Sequence, residues 1–319
     1  MANNNNFVLL TGTANIPLAE SIAKILKTEV HMPVSRFADG EAHVQIPVNV
    51  RKRDVFIIQP TCPPNVDKAY IELFAMINAA RLASAGEITA VVPYFGYSRQ
   101  DRKDRPRTPV MAGVMAKALE TFGANRIVTV DIHTEQAEGF VASPWDNLPA
   151  SFVFIPLLQK LNLKNLVIAS PDKGGVPRAN FYAKKLRAEG LAIVYKERDV
   201  FTKNTSQALT MIGDVNGKTV LLVDDMIDTA GTICHAADLI KQRGAKSVMA
   251  VATHGLFSAD ALEKVQKSVL QTVYIADTVP LKKEAEKMAK IKMVKTAKML
   301  AGAIECIRTG ESISQKFYL

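Results

Sequence analysis

Short apolar runs recur along the whole chain, and between them lie longer stretches whose apolar positions return every three or four residues. Runs bounded by Gly, Pro, Asn or Asp read as buried strands; the three-to-four spacing reads as one face of a helix. The pattern predicts strands at Phe7–Leu10, Val55–Gln59, Ile88–Val92, Arg126–Val130, Leu166–Ser170, Ala192–Tyr195, Thr219–Val223, Ser247–Thr253, Val273–Ala276 and Ile291–Thr296. Helices are predicted at Pro17–Thr28, Asp67–Ala83, Pro109–Phe122, Gly174–Ala188 and Ala259–Lys267, with another over Ile233–Arg243. Such alternation implies an α/β fold with mostly parallel sheets flanked by helices. The turn-rich stretch Ser143-Pro144-Trp145-Asp146-Asn147-Leu148-Pro149 marks a composition break, which places one domain at 1–148 and a second at 149–319. The last helix is expected to pack back on the first domain.

Composition excludes several classes. The 319 residues suffice for two domains. Three separated cysteines, Cys62, Cys234 and Cys306, argue against a disulfide framework and suit a reducing, cytoplasmic setting. The polar start reads as no signal peptide, and no apolar run is long enough to span a membrane. The net charge of +9 is concentrated in two places. Seven lysines between Lys282 and Lys298 read as a solvated helix face. Arg99, Arg102, Lys103, Arg105 and Arg107 crowd a Pro-containing loop, and phosphate-rich small molecules explain them as well as nucleic acid does. Without a recognition helix, zinc-finger spacing or stacking platform, nucleic acid is the weaker reading.

The most informative stretch is Thr219-Val-Leu-Leu-Val-Asp224-Asp225-Met-Ile-Asp228-Thr229-Ala230-Gly231-Thr232. A buried strand ends in paired carboxylates, then a small hydroxyl-rich turn opens a helix. Helix starts offer free N–H groups to phosphate, and paired carboxylates accept hydrogen bonds from sugar hydroxyls or hold a cation. An N-cap role accounts for one aspartate, not three, and packed like charges require compensation. Elsewhere Asp131 and His133 follow a strand two residues apart on one side of the chain; a lone His there is more often a satisfied polar residue. Asp172 precedes Gly174-Gly175, either a tight turn or an anion-binding nest. Phe37 stands beside Asp39, Gly40 and Glu41, and reads first as a core residue, second as a base-stacking one. Arg99 and Gln100 follow Tyr94, Phe95 and Tyr97. There is no GxxxxGK[ST], GxGxxG or HExxH motif, so any triphosphate needs another cradle.

The stretch 219–232 resembles the binding motif for 5-phosphoribosyl 1-diphosphate (PRPP). Together Phe37–Glu41, Tyr97–Lys103, Asp131–His133, Asp146–Leu148, Ser170–Asp172 with Gly174-Gly175, Val223–Thr232, Thr253–Gly255 and Gly310–Ser314 resemble the ribose-phosphate pyrophosphokinase (PRPP synthetase) family in its order. The resemblance implies a two-domain, phosphoribosyltransferase-like fold. It further implies a transferase of nucleotide biosynthesis that moves the diphosphoryl group of MgATP to the 1-hydroxyl of ribose 5-phosphate, giving PRPP and AMP. By that likeness Phe37, Asp39, Gly40, Glu41, Arg99 and Gln100 bind ATP, and His133 and Asp172 serve Mg²⁺. Asp224 and Asp225 bind ribose hydroxyls, and Asp228, Thr229, Ala230, Gly231 and Thr232 wrap the 5-phosphate. Lys196 and Arg198 are the catalytic cations, Arg198 also touching ribose 5-phosphate. Lys173 stands where the family often has a small residue. Homodimers assembling to a hexamer, in the cytoplasm, are implied too. The alternatives are a non-catalytic regulatory subunit and a phosphoribosyltransferase.

Overall fold

Five-residue runs such as Phe-Val-Leu-Leu-Thr and Leu-Val-Ile-Ala-Ser are apolar on both alternating faces, the composition of a strand covered by helices on each side. In a computed structural model, which describes residues 6–196 and 209–317, these runs are buried throughout. The chain forms two compact units, one of residues 1–149, 278–280 and 296–319, the other of 150–277 and 281–295.

The first unit contains β1 (Phe7–Thr11), α1 (Ile16–Leu26), β2 (Val30–His31), β3 (Val34–Arg36), β4 (Ala42–Val44), β5 (Asp54–Ile58), α2 (Val66–Leu82), β6 (Ile88–Val92), α3 (Met111–Phe122), β7 (Arg126–Val130) and β8 (Trp145–Leu148). Six of these strands form a parallel sheet in the order β2-β1-β5-β6-β7-β8, while β3 and β4 make a separate antiparallel hairpin. Helix α1 starts with Asn15, whose side chain accepts from the Leu18 N–H, and Pro17 in the first turn. Its buried face, Leu18, Ala19, Ile22 and Ala23, packs against a helix from the far end of the chain, described below.

The second unit contains α4 (Ser151–Lys160), β9 (Leu166–Ser170), α5 (Val176–Leu186), β10 (Gly190–Lys196), β11 (Leu209–Ile212), β12 (Thr219–Ile227), α6 (Gly231–Gln242), β13 (Ser247–Gly255), α7 (Ala261–Lys267), β14 (Val273–Ala276), α8 (Lys283–Glu286) and β15 (Ile291–Val294). Its sheet runs β11-β10-β9-β12-β13-β14-β15, with β11 antiparallel to β10 and the other pairs parallel. Apart from β11, the two sheets share one connectivity: the second strand lies outside the first, and the third to sixth follow on the other side. The chain then returns to the first unit as α9 (Ala297–Thr309) on α1 and α10 (Ile313–Phe317) on α9.

Several expectations change. The turn-rich break at 143–149 holds β8, the edge strand beside β7, because Asp146 pairs with Arg126 and Trp145 Nε1 donates to Thr129 Oγ1. The short β2, β3 and β4, of two or three residues, lay below the length at which an apolar run is visible, and β11 was not read either. The lysines from 282 to 298 share no helix face: Lys282 donates to the Phe257 carbonyl, Lys290 to the last carbonyls around α7, and Lys295 lies 3.6 Å from Asp277. Cys62, Cys234 and Cys306 are free and buried. Among the described residues no helix is long and apolar enough to cross a membrane.

Candidate functional site

In the second unit the strand order reverses direction between β9 and β12, and ligands of open α/β sheets settle at that point, outside the carboxyl ends of the strands. The geometry there follows from unequal strand lengths. β9 leaves the sheet after Ser170, whereas β12 continues beside β13 to Ile227, so one edge of residues 224–227 is freed. The strand was expected to stop at Val223; both carboxylates in fact stand on it. Neighbours on a strand point to opposite faces. Even so, Arg178 on α5 holds its Nη1 3.9 Å from an Asp224 oxygen and 3.7 Å from an Asp225 oxygen. Burial, then the adjacent charge of Asp225 and a hydrogen bond with it, push the Asp224 carboxyl well above the usual carboxylate range, and Asp172 adds to the effect. Arg178 is the compensating cation that the packed acids require. Sequence reasoning missed it because only the fold brings α5 over β12.

Asp172 occupies the turn after β9. Its Oδ1 accepts from the Gly175 N–H at 2.8 Å, and its carbonyl accepts from the Ser170 hydroxyl at 2.7 Å. A Cβ on Gly175 would sit 2.7 Å from Ser170 Oγ, so a larger residue there forces the serine to shift. Lys173, one residue on, places its ammonium 4.8 Å from the centre of the Tyr195 ring.

Beyond β12, Ala230 adopts a left-handed backbone at φ 59° and caps α6. Non-glycine residues seldom hold that conformation, and here the surroundings impose it. Ser258 N–H donates to the Asp228 carbonyl at 2.9 Å and Cys234 N–H to the Ala230 carbonyl at 3.0 Å. Ala230 is buried, while Thr229 and Thr232 are exposed at the start of α6. Lys196 ends β10 opposite Leu209, and Arg198 lies outside the described residues.

In the first unit the candidate residues fall into two groups. Arg99 and Gln100 line a pocket of about 430 Å³ with Pro63, Val66, Tyr94, Gly96 and Tyr97. The aromatic residues before them build its wall: Tyr70 donates from its hydroxyl to the Gly96 carbonyl and packs against Phe95 and Tyr97. A Cβ on Gly96 would stand 2.4 Å from the Thr61 carbonyl oxygen. His133 lies close to this segment, because Thr134 Oγ1 donates to Asp101 Oδ2 at 3.0 Å. Asp131 and His133 lie beyond the strand: β7 ends at Val130, and Asp131 turns into a left-handed backbone at φ 40°. The second group, Phe37, Asp39, Gly40 and Glu41, forms the exposed tip of the β3–β4 hairpin. Phe37 is 55 % exposed and faces His43, ring centres 4.9 Å apart, so the core reading of this residue is wrong. These tip residues are not among the lining of the pocket.

Residues 7–123 match the N-terminal domain of ribose phosphate pyrophosphokinase, and residues 199–318 a phosphoribosyl synthetase-associated domain. Ribose-phosphate pyrophosphokinase of Wolinella succinogenes is 46% identical over 312 residues, covering 98% of this chain and 99% of the relative. The chain belongs to the ribose-phosphate pyrophosphokinase family. The same-named protein of Vibrio parahaemolyticus is 47% identical over 311 residues, 97% of this chain and 98% of the relative. A crystal structure of phosphoribosylpyrophosphate synthetase from Mycobacterium smegmatis matches with a TM-score of 0.89 at 34% identity, over 96% of this chain and 99% of that one. The family makes the chain an enzyme with ribose-phosphate pyrophosphokinase activity.

Proposed function

We propose that the second unit takes ribose 5-phosphate at the β9–β12 crevice, and that the first takes ATP. The observation that carries this reading is the pair Asp224 and Asp225, half-buried and buried at the strand-order reversal, and followed by a small Thr-Ala-Gly-Thr helix start whose two threonines are exposed. The carboxylates accept the ribose hydroxyls, and those hydrogen bonds replace water the buried acids have lost. Asp228 to Thr232 hold the 5-phosphate through backbone N–H groups and threonine hydroxyls. Phe37, Asp39, Gly40 and Glu41 meet the adenine side, and Arg99 and Gln100 the phosphates.

The 1-hydroxyl oxygen of ribose 5-phosphate attacks the β-phosphorus of ATP, and the bond between that phosphorus and the AMP oxygen breaks. Lys196 and Arg198 face the charge that accumulates on the transferring group, where fixed cations act far more strongly than in water. Mg²⁺ suits the donors present. Asp172 offers carboxylate oxygen and His133 an imidazole. Among the described residues no group of three metal-binding side chains forms a cage, as fits an ion that arrives with the triphosphate and keeps its waters. With the phosphates bound, Mg²⁺ held by either residue would neutralise phosphate charge. We place the enzyme in the cytoplasm, as homodimers assembled further to a hexamer.

The test is AMP release from ATP in the presence of Mg²⁺, with and without ribose 5-phosphate. Dependence on the sugar phosphate, and its loss in Lys196→Ala, are the expected results. Equal AMP release by the two proteins would sink the assignment of Lys196.

A further inference from the structure

The same reversal of strand order occurs in the first unit, between β1 and β5, and there the crevice is filled by the protein itself. Gln59, directly after β5, is fully buried; its Oε1 accepts from the Ala14 N–H at 3.2 Å, and its Nε2 donates to the Ala69 carbonyl at 3.3 Å. The same Nε2 donates to Glu72 Oε2 at 3.0 Å. A Cβ on Gly12 would fall 2.5 Å from the Gln59 side chain, so the β1 turn fits only around it. Glu72, on α2, has no exposed side-chain surface, and Thr13 donates to it from both its N–H and its hydroxyl. A fully buried carboxylate needs a counter-charge. It comes from Arg36, the last residue of β3, whose Nη2 lies 2.5 Å from Glu72 Oε1.

Arg36 then reaches the other way. Its Nη1 donates to the Gly40 carbonyl at 2.8 Å, across the turn that also closes by Phe37 N–H to the Glu41 carbonyl at 3.0 Å. One planar guanidinium thus ties the hairpin tip to a buried, charged anchor. We infer that Arg36, locked by Glu72, is a positioning residue for the nucleotide: it presents Phe37, Asp39 and Glu41 at the end of a rigid arm. The inference rests on the reading of that tip as the adenine side. A solvent-exposed loop ordered in advance binds without a further ordering cost. Loss of the arm therefore weakens ATP binding in ground and transition states alike, which raises KM and leaves kcat.

The test uses initial rates of AMP formation by the full chain. Arg36→Met is expected to raise KM for ATP about tenfold, the effect of one charge-assisted hydrogen bond, with kcat within about twofold and KM for ribose 5-phosphate unchanged. Because Arg36→Met leaves a lone buried carboxylate, the double variant Arg36→Met/Glu72→Gln is measured too. Its neutral amide restores thermal stability, yet the raised KM for ATP persists. If KM recovers together with stability, or Arg36→Met leaves KM unchanged while Phe37→Ala raises it, the positioning role is overturned. If Phe37→Ala also leaves KM for ATP unchanged, it is the reading of the tip that fails.

Discussion

Removing Arg178 tests the electrostatic account of the ribose crevice most directly. Its Nη1 lies 3.7 and 3.9 Å from oxygens of Asp225 and Asp224, and its side chain is 26% exposed. At an effective dielectric constant of about 20, each contact is worth about 4 kcal/mol before desolvation. Partial exposure and the dehydration of the guanidinium take back much of this, leaving about 2–4 kcal/mol for Arg178→Met. In a unit of this size that lowers Tm by about 5–12 °C. The measurement is calorimetric unfolding of the ligand-free protein at about pH 7.5 and again near pH 5. The Asp224 carboxyl is raised in the folded state, chiefly by burial. The folded protein therefore holds a proton there that the unfolded chain releases, and this contribution is full below the ordinary carboxylate pKa and lost as pH rises through the folded one. The deficit of Arg178→Met is accordingly largest at the higher pH and shrinks on acidification. Adding Asp224→Asn to it restores more than half of the loss. A deficit of equal size at both pH values would refute the reasoning, as would none at all.

Two further outcomes are expected. Asp224→Asn alone raises the Tm of the free enzyme at neutral pH, by removing a charge that burial disfavours and the Asp225 charge repels, while KM for ribose 5-phosphate increases; a gain in Tm equally large at acid pH would contradict the cause. Gly175→Ala costs about 1–3 kcal/mol, because the new methyl meets Ser170 Oγ at 2.7 Å, and Gly175→Ala/Ser170→Ala regains most of it in the same unfolding assay.

The central parallel strands were legible because burial on both faces leaves them mostly apolar, and β6, β7, β9 and β14 have the bounds read from the pattern. The acids of 219–232 were legible for the opposite reason: charge is costly at a buried strand end and must be accounted for. What sequence could not give was partnership across the fold. Arg178, Glu72 and Gln59 are ordinary residues in their own helix or loop, and gain meaning only where the sheet order sets them against Asp224, Arg36 and Ala14. Phe37 misled for a related reason. A lone aromatic is usually core, and only the shortness of β3 and β4 leaves this one outside.

The return of α9 to the first unit bears on how the molecule is made. Seven residues of α9, from Ala297 to Cys306, are buried, and α1 waits for that face. During synthesis from the amino end, every strand of the second sheet has been made once Val294 is added, before any of α9 exists. The unit that begins the chain is therefore the last to be completed, and Leu18, Ala19, Ile22 and Ala23 stay uncovered until then. A fragment ending at residue 149 would keep that apolar stripe permanently bare. By connectivity the second unit is an insert in the first, interrupted only where residues 278–280 return to the frame.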